Sequence, residues 1–257
     1  MGNEGENMSR HALPPTARAL ILPLLGTVAL TTACTSGGDE SDPVSSAAAP
    51  TTASAGTSPA DPPSASASAP TTIPTSAFVE LPAELRKSPR RTTPVEEALP
   101  KLCGNEFGTG GRQVTASAAM TVTYQKPGDS AGNTPQGLIH QTIFTFEGAG
   151  AADYMRRLRS AVEACPSYDR GGNPVKVASK PLSGVGDEAV LVSLTRAATD
   201  LNGDRNGGTT STQIAVARVD GAVTVFNDQG WEGSSGNPAV LDQTVRDGVK
   251  TIDAWQR

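Results

Sequence analysis

Residues 35–77, TSGGDESDPVSSAAAPTTASAGTSPADPPSASASAPTTIPTSA, carry no large apolar side chain beyond Val44 and Ile73. Alanine, serine, threonine and proline dominate, and such a segment cannot bury enough surface to offset the entropy lost on ordering. A disordered tether is expected here. As a coil of about 40 residues it would span roughly 35 Å, and more where proline favours extended backbone. Folding capacity is therefore confined to residues 78–257, enough for one domain of ordinary size.

The segment before the tether predicts where the chain resides. Read from Met1, two glutamates precede any basic residue, contrary to what an export signal needs; read from Met8, Arg10 and Arg18 form a basic region and ALILPLLGTVAL (19–30) an apolar one. The apolar run is too short for a bilayer span and contains Pro23 and Gly26. Residues 1–33 thus read as a signal peptide with its true start at Met8. A myristoylation reading of MGNEGE fails because Glu6 stands where Ser or Thr belongs. Cys34, preceded by Thr31, Thr32 and Ala33, resembles a bacterial lipobox cysteine, although Thr31 occupies the position usually held by leucine. Residues 34–77 are then a lipidated cysteine and its tether. Two or more acyl chains, at about 0.8 kcal/mol per buried methylene, make such an anchor effectively permanent. The implied location is the extracytoplasmic face of the cell membrane.

The formal net charge of −5 does not attract a phosphate backbone, and the basic clusters RKSPRR (86–91) and RRLR (156–159) are too small to reverse this. Nucleic acid is excluded as an expected partner.

From Phe78 onward, large apolar residues recur at structured spacings. Thr93, Pro94 and Glu96/Glu97 predict a short helix capped by Thr93 within 93–104. Alternation over 112–126 predicts a strand, with a second over 138–148. Residues 150–168 place apolar side chains on one helical face that includes Cys165. Strands follow at 174–182 and 189–194, the latter after the turn SGVGDE. TQIAVARV and AVTVFN, separated by Asp220-Gly221, form a hairpin. A terminal helix over 237–257 is capped by Asn237, with Pro238 at its start and Leu241, Val245, Val249, Ile252 and Trp255 in one stripe. The fold class implied is α+β: a central, mostly antiparallel sheet covered on one face by amphipathic helices. After export, Cys103 and Cys165 are the two thiols left to the domain, and a disulfide between them is expected.

Chemistry-bearing motifs are sparse. His140 is the single histidine after Cys34 and shares a strand face with Thr142, Phe144 and Phe146, so these could line an apolar cleft. Trp231, in DQGWEGSSGNP, is either a lid over the core or an exposed aromatic platform. Asp187 and Glu188 read as turn caps. Asp200, Asn202 and Asp204 match positions 1, 3 and 5 of a calcium loop, but Arg205 replaces the turn glycine and Ser211 the bidentate glutamate, so this reads as a flexible loop. No nucleophile elbow or phosphate loop is present, and neither a metal nor a cofactor is expected.

The cysteine before the first long strand, YMRRLRSAVEAC, LSGVGDEAVLV, the hairpin IAVARVDGAVTV and the terminal helix together resemble the PknH-like extracellular sensor domain of actinobacteria, over roughly residues 78–257. The resemblance implies a sheet with helices and a cleft for an unidentified ligand. Some members have two disulfides, whereas this chain can form one. The expected function is a lipid-anchored, non-catalytic cell-surface module that binds a small or cell-wall-derived ligand, or a partner protein, with His140, Phe144, Phe146 and Trp231 as the candidate ligand residues. The alternative is a structural or assembly accessory of the envelope without a small-molecule ligand. Replacing Cys34 by alanine is expected to abolish palmitate labelling and release the protein from membranes; unchanged labelling and retention would remove the anchor assignment.

Overall fold

The computed structural model describes residues 70–257, apart from positions 105, 106, 108–110, 112, 131 and 201. The expected signal peptide, Cys34 and the tether up to residue 69 lie outside the described residues. Eight strands form one sheet: β1 (Arg91–Thr92), β2 (Val114–Tyr124), β3 (Gly137–Phe146), β4 (Ser167–Arg170), β5 (Asn173–Pro181), β6 (Glu188–Thr199), β7 (Arg205–Val219) and β8 (Ala222–Gly230). Their order is β1-β2-β3-β8-β7-β6-β5-β4, with every neighbouring pair antiparallel. Three helices accompany them: α1 (Val95–Ala98), α2 (Gly150–Glu163) and α3 (Pro238–Gln256). Among the described residues no helix is long and apolar enough to cross a membrane.

The α+β class is as the sequence implies, but the helices cover both faces of the sheet, not one. Alternate residues of the central strands serve two separate cores. Ile143, Ala215, Ala217 and Phe226 pack with Leu241, Val245 and Ile252 of α3. Phe144, Ile214, Val216, Val223 and Val225 pack with Tyr154, Met155, Leu158 and Val162 of α2. Because side chains alternate across a strand, apolar runs such as IAVARV are buried on both sides. Periodicity alone shows only that such a strand is apolar throughout.

Local chemistry explains the element ends. Asn237 accepts hydrogen bonds from the Ala239 and Val240 amides at 3.1 and 3.3 Å, and Pro238 needs no donor in the first turn, so α3 starts where the sequence predicts. The β7–β8 hairpin turns at Asp220, whose φ is 48°, and the Asp187 carboxylate accepts the Asp220 amide at 2.8 Å while pairing with Arg218 at 2.9 Å. Gly186 lies against the Arg218 carbonyl, where a Cβ would come within 2.3 Å, so the GVGDE turn closes only on glycine.

Two local expectations change. Thr93 does not cap α1, because its hydroxyl is buried and lies 2.6 Å from the Thr121 hydroxyl; the helix is four residues long and begins after Pro94. Strand β4 begins within the tail of the helix predicted over 150–168, since α2 stops at Glu163 and the chain reverses beyond Cys165. Within the expected 200–207 loop, the Asp200 carboxylate accepts the Asn202 and Asp204 amides at 2.9 and 3.0 Å.

Cys103 and Cys165 stand at disulfide distance, with Cα atoms 6.1 Å apart and 62 residues between them in sequence. A bond there fastens the segment after α1 to the end of α2, contributing on the order of 4 kcal/mol in the chain-entropy description. At the other end of the domain, residues 70–79 join the fold directly. The Pro70 carbonyl accepts from the Thr145 hydroxyl at 3.0 Å, Ala77 is fully buried, and the Val79 amide donates to Gln141 Oε1 at 2.8 Å.

Within α3, Gly248 lets the helix lie directly on Phe226, since a Cβ there would meet the ring at 2.5 Å. Alanine is the better helix former by about 1 kcal/mol, yet overpacking costs about 1–3 kcal/mol. Gly248→Ala is therefore expected to lower stability by about 1 kcal/mol in urea denaturation; an unchanged or raised midpoint would show that α3 does not press on Phe226 as described.

Candidate ligand site

The β3–β8 seam ends at the Gly137–Gly230 pair. Beyond it the Trp231 amide donates to the Gln136 carbonyl at 3.1 Å, and the chain folds back through Glu232 (φ 48°) and Gly233 (φ 83°), with the Ser234 amide donating to the Trp231 carbonyl at 3.0 Å. Gly230 is required by this return: a Cβ would meet the Ser234 carbonyl oxygen at 2.1 Å. On the other side, the loop after β2 is held by Asp129, which accepts the Lys126 amide at 3.2 Å and the Asn133 side-chain amide at 3.0 Å. Between these turns lies a hollow of about 480 Å³ lined by Lys126, Asp129, Asn133, Gln136, Trp231 and Glu232, together with nearby serine, threonine and proline residues. Among the described residues, neither the Lys126 ammonium nor the Glu232 carboxylate has an ion-pair partner. A half-buried indole, one ammonium, two carboxylates and several amides and hydroxyls offer stacking and hydrogen bonding.

Directly behind the hollow is a buried acid that carries no sequence motif. Asp228 has no exposed surface. The Tyr124 hydroxyl donates to its Oδ1 at 2.8 Å, and the Asn237 amide donates to the Tyr124 oxygen at 2.9 Å. Asn237 also donates through Nδ2 to Gln136 Oε1 at 3.3 Å, which reaches the lining of the hollow. Burial pushes the Asp228 carboxyl up to about 6, against the opposing pull of the Tyr124 hydrogen bond and the Asn237 amide. Burial, then the Asp228 charge, raises the Tyr124 phenol as well. The detectable signal is the pair Asn227-Asp228, which puts polar side chains on both faces of β8 directly after Val225 and Phe226.

The other candidate residues occupy different places. His140 belongs to a cross-strand row with Arg91, Thr121 and Asn227. Its Nδ1 lies 2.7 Å from the Thr121 hydroxyl, which in turn meets Thr93. Burial, then the Arg91 charge, lowers its pKa, so the imidazole is neutral at pH 7. Beside it, Thr142 Oγ1 and Asn227 Oδ1 are buried without a hydrogen-bond partner. This sealed polar seat suits a bridging water. Phe144 and Phe146 are 0% and 2% exposed, with ring centroids 5.9 and 5.7 Å from Tyr154, so their faces are taken up by the core under α2 and they line no part of the hollow. Of the four candidates, Trp231 alone faces that space. Among the described residues no three His, Cys, Asp or Glu side chains are grouped to hold a metal, and the Asp200 carboxylate already accepts backbone amides.

An acid whose pKa is higher folded than unfolded binds its proton more tightly in the folded state, so stability is highest below the unfolded value and falls as pH rises toward the folded one. For Asp228 that window runs from 3.8 to about 6, worth about 3 kcal/mol at about 1.4 kcal/mol per pH unit. Asp228→Asn is expected to remove this part of the stability decline between pH 4 and 6 in parallel denaturation series; an identical slope in both proteins would show that the carboxyl is not perturbed.

No protein-family model matches the sequence, and no curated protein is significantly similar to it. Among solved structures, the extracellular domain of PknH from Mycobacterium tuberculosis is similar with a TM-score of 0.40 and 14% identity, over 66% of this chain and 81% of that one. The likeness is loose, and the chemistry of the hollow stands on this chain's own residues.

Proposed function

We propose that the protein is a lipid-anchored, extracytoplasmic binding module whose PknH-like domain captures a hydroxyl-rich ligand, such as a cell-wall saccharide, in the hollow beside Trp231. The family assignment rests on the order of sequence features, and the anchor on Cys34. The observation that carries the ligand reading is the placement of a half-buried indole beside Lys126, Glu232 and Gln136 in a space of about 480 Å³. A sugar ring presents C–H faces to an aromatic plane and hydroxyls to surrounding amides and charges, and this lining offers both. His140 is oriented by a threonine, not by a carboxylate, which favours binding over hydrolysis.

The filled core under α2 favours a second reading, an envelope assembly accessory without a small-molecule ligand. Mass spectrometry of material copurifying with the detergent-extracted protein separates the two. Saccharide is expected with the parent protein and at least tenfold less with Trp231→Ala. Repeated recovery of an empty protein with a stable protein partner would overturn the ligand reading.

A further inference from the structure

We propose that Asp228 is a buried positioning residue for the Trp231 hollow: through Tyr124, Asn237 and Gln136, its protonation state sets how the turn carrying Trp231 closes. The inference rests on the reading of that hollow as the ligand site and adds its regulation.

The connection is continuous. Asp228 accepts from Tyr124, Tyr124 accepts from the Asn237 amide, and Asn237 Nδ2 donates to Gln136, whose carbonyl receives the Trp231 amide. Asn237 is also the cap of α3, so the same residue fixes the helix start and the rim of the hollow. Two glycines pack closely against the inner end of the path. Gly137 leaves 2.6 Å between a notional Cβ and the Tyr124 hydroxyl, and Gly236 leaves 2.2 Å between a notional Cβ and Asp228 Oδ2.

That oxygen is buried and has no hydrogen-bond partner. The groups around the carboxyl are Tyr124 from β2, Ile139 from β3, Gln213 from β7, and Gly236 and Asn237 from the segment entering α3. Tyr124 is the titratable one, and among the described residues no Lys, Arg or His is hydrogen-bonded or ion-paired to Asp228. A protonated carboxyl sits in this enclosure without net charge. An ionised one places charge on an oxygen with no donor, and solvating it requires water to enter where Gly236 now lies. The 234–236 segment, hydrogen-bonded to the Trp231 carbonyl through Ser234 and to Ser211 of β7 through Ser235 and Gly236, must then lift. Protonation closes the hollow, and ionisation loosens it, in the pH range where burial has placed this acid. His140, whose pKa burial lowers, lies on the opposite face of the sheet, beside Thr121 and Asn227.

The chain has two tryptophans, so Trp255→Phe leaves Trp231 as the sole indole reporter in the full-length protein. Its fluorescence, with acrylamide as the quencher, is expected to become more quenchable as pH rises, with a midpoint near 6. Adding Asp228→Asn should leave Trp231 equally protected throughout. Adding Tyr124→Phe, which removes a hydrogen bond that favours the ionised acid, should move the midpoint upward and shrink the change. A flat titration in the parent, or the same transition in Asp228→Asn, would overturn the proposal. No saccharide is present in this measurement, so its failure is distinct from a failure of the ligand reading, which the copurification experiment decides.

Discussion

The pairing of β3 with β8 is the interaction on which the rest of the structure depends. The other long strand pairs join neighbours in sequence: β2 with β3 across one loop, and β4 through β8 as a meander. The β3–β8 ladder alone brings residues 137–145 onto residues 222–230, fusing a hairpin and a meander into one sheet. It carries the loop-closure entropy of a long intervening chain, and the two cores repay that cost. Phe226 and Ile143 meet α3 on one face of the seam, while Val225 and Phe144 meet α2 on the other. The disulfide and the Val79–Gln141 hydrogen bond then secure peripheral segments to a sheet already defined by this ladder.

The hollow and the buried acid are consequences of how that seam ends. Where Gly137 faces Gly230, the absence of side chains lets Tyr124 and the returning 234–236 segment close over the strand ends. Asp228 is sealed by the same closure. The sheet end thus supports the turn that carries Trp231. The turn presents an indole and amides at the surface, with one buried carboxyl beside it.

Features governed by short-range rules were legible without coordinates. The Asn237–Pro238 cap, the Asp220-Gly221 turn and the apolar stripe of α3 each need only residues within a few positions of one another. Thr93 shows where this stops: its sequence context matches a helix cap, but a hydroxyl from β2 offers a buried partner and the tertiary contact prevails. Phe144 and Phe146 were correctly placed on one strand face with His140, yet whether that face is open or filled depends on α2, whose docking no periodicity reveals. Trp231 was recognisable as an aromatic among glycines. That it borders a hollow follows from the β2–β3 loop arriving beside it, an approach set by the sheet.

The sequence by itself determined the elements and their chemical character: apolar strands, two amphipathic helices and a cysteine pair, because these follow from composition and spacing along the chain. Only the tertiary structure decided that the helices take opposite faces, that Phe144 and Phe146 belong to the core, and that Asp228, Tyr124, Asn237 and Gln136 form one path to Trp231. The physical reason is that burial and hydrogen-bond partnership are properties of the space between elements. That space is created when residues about 100 positions apart are brought together across the β3–β8 seam.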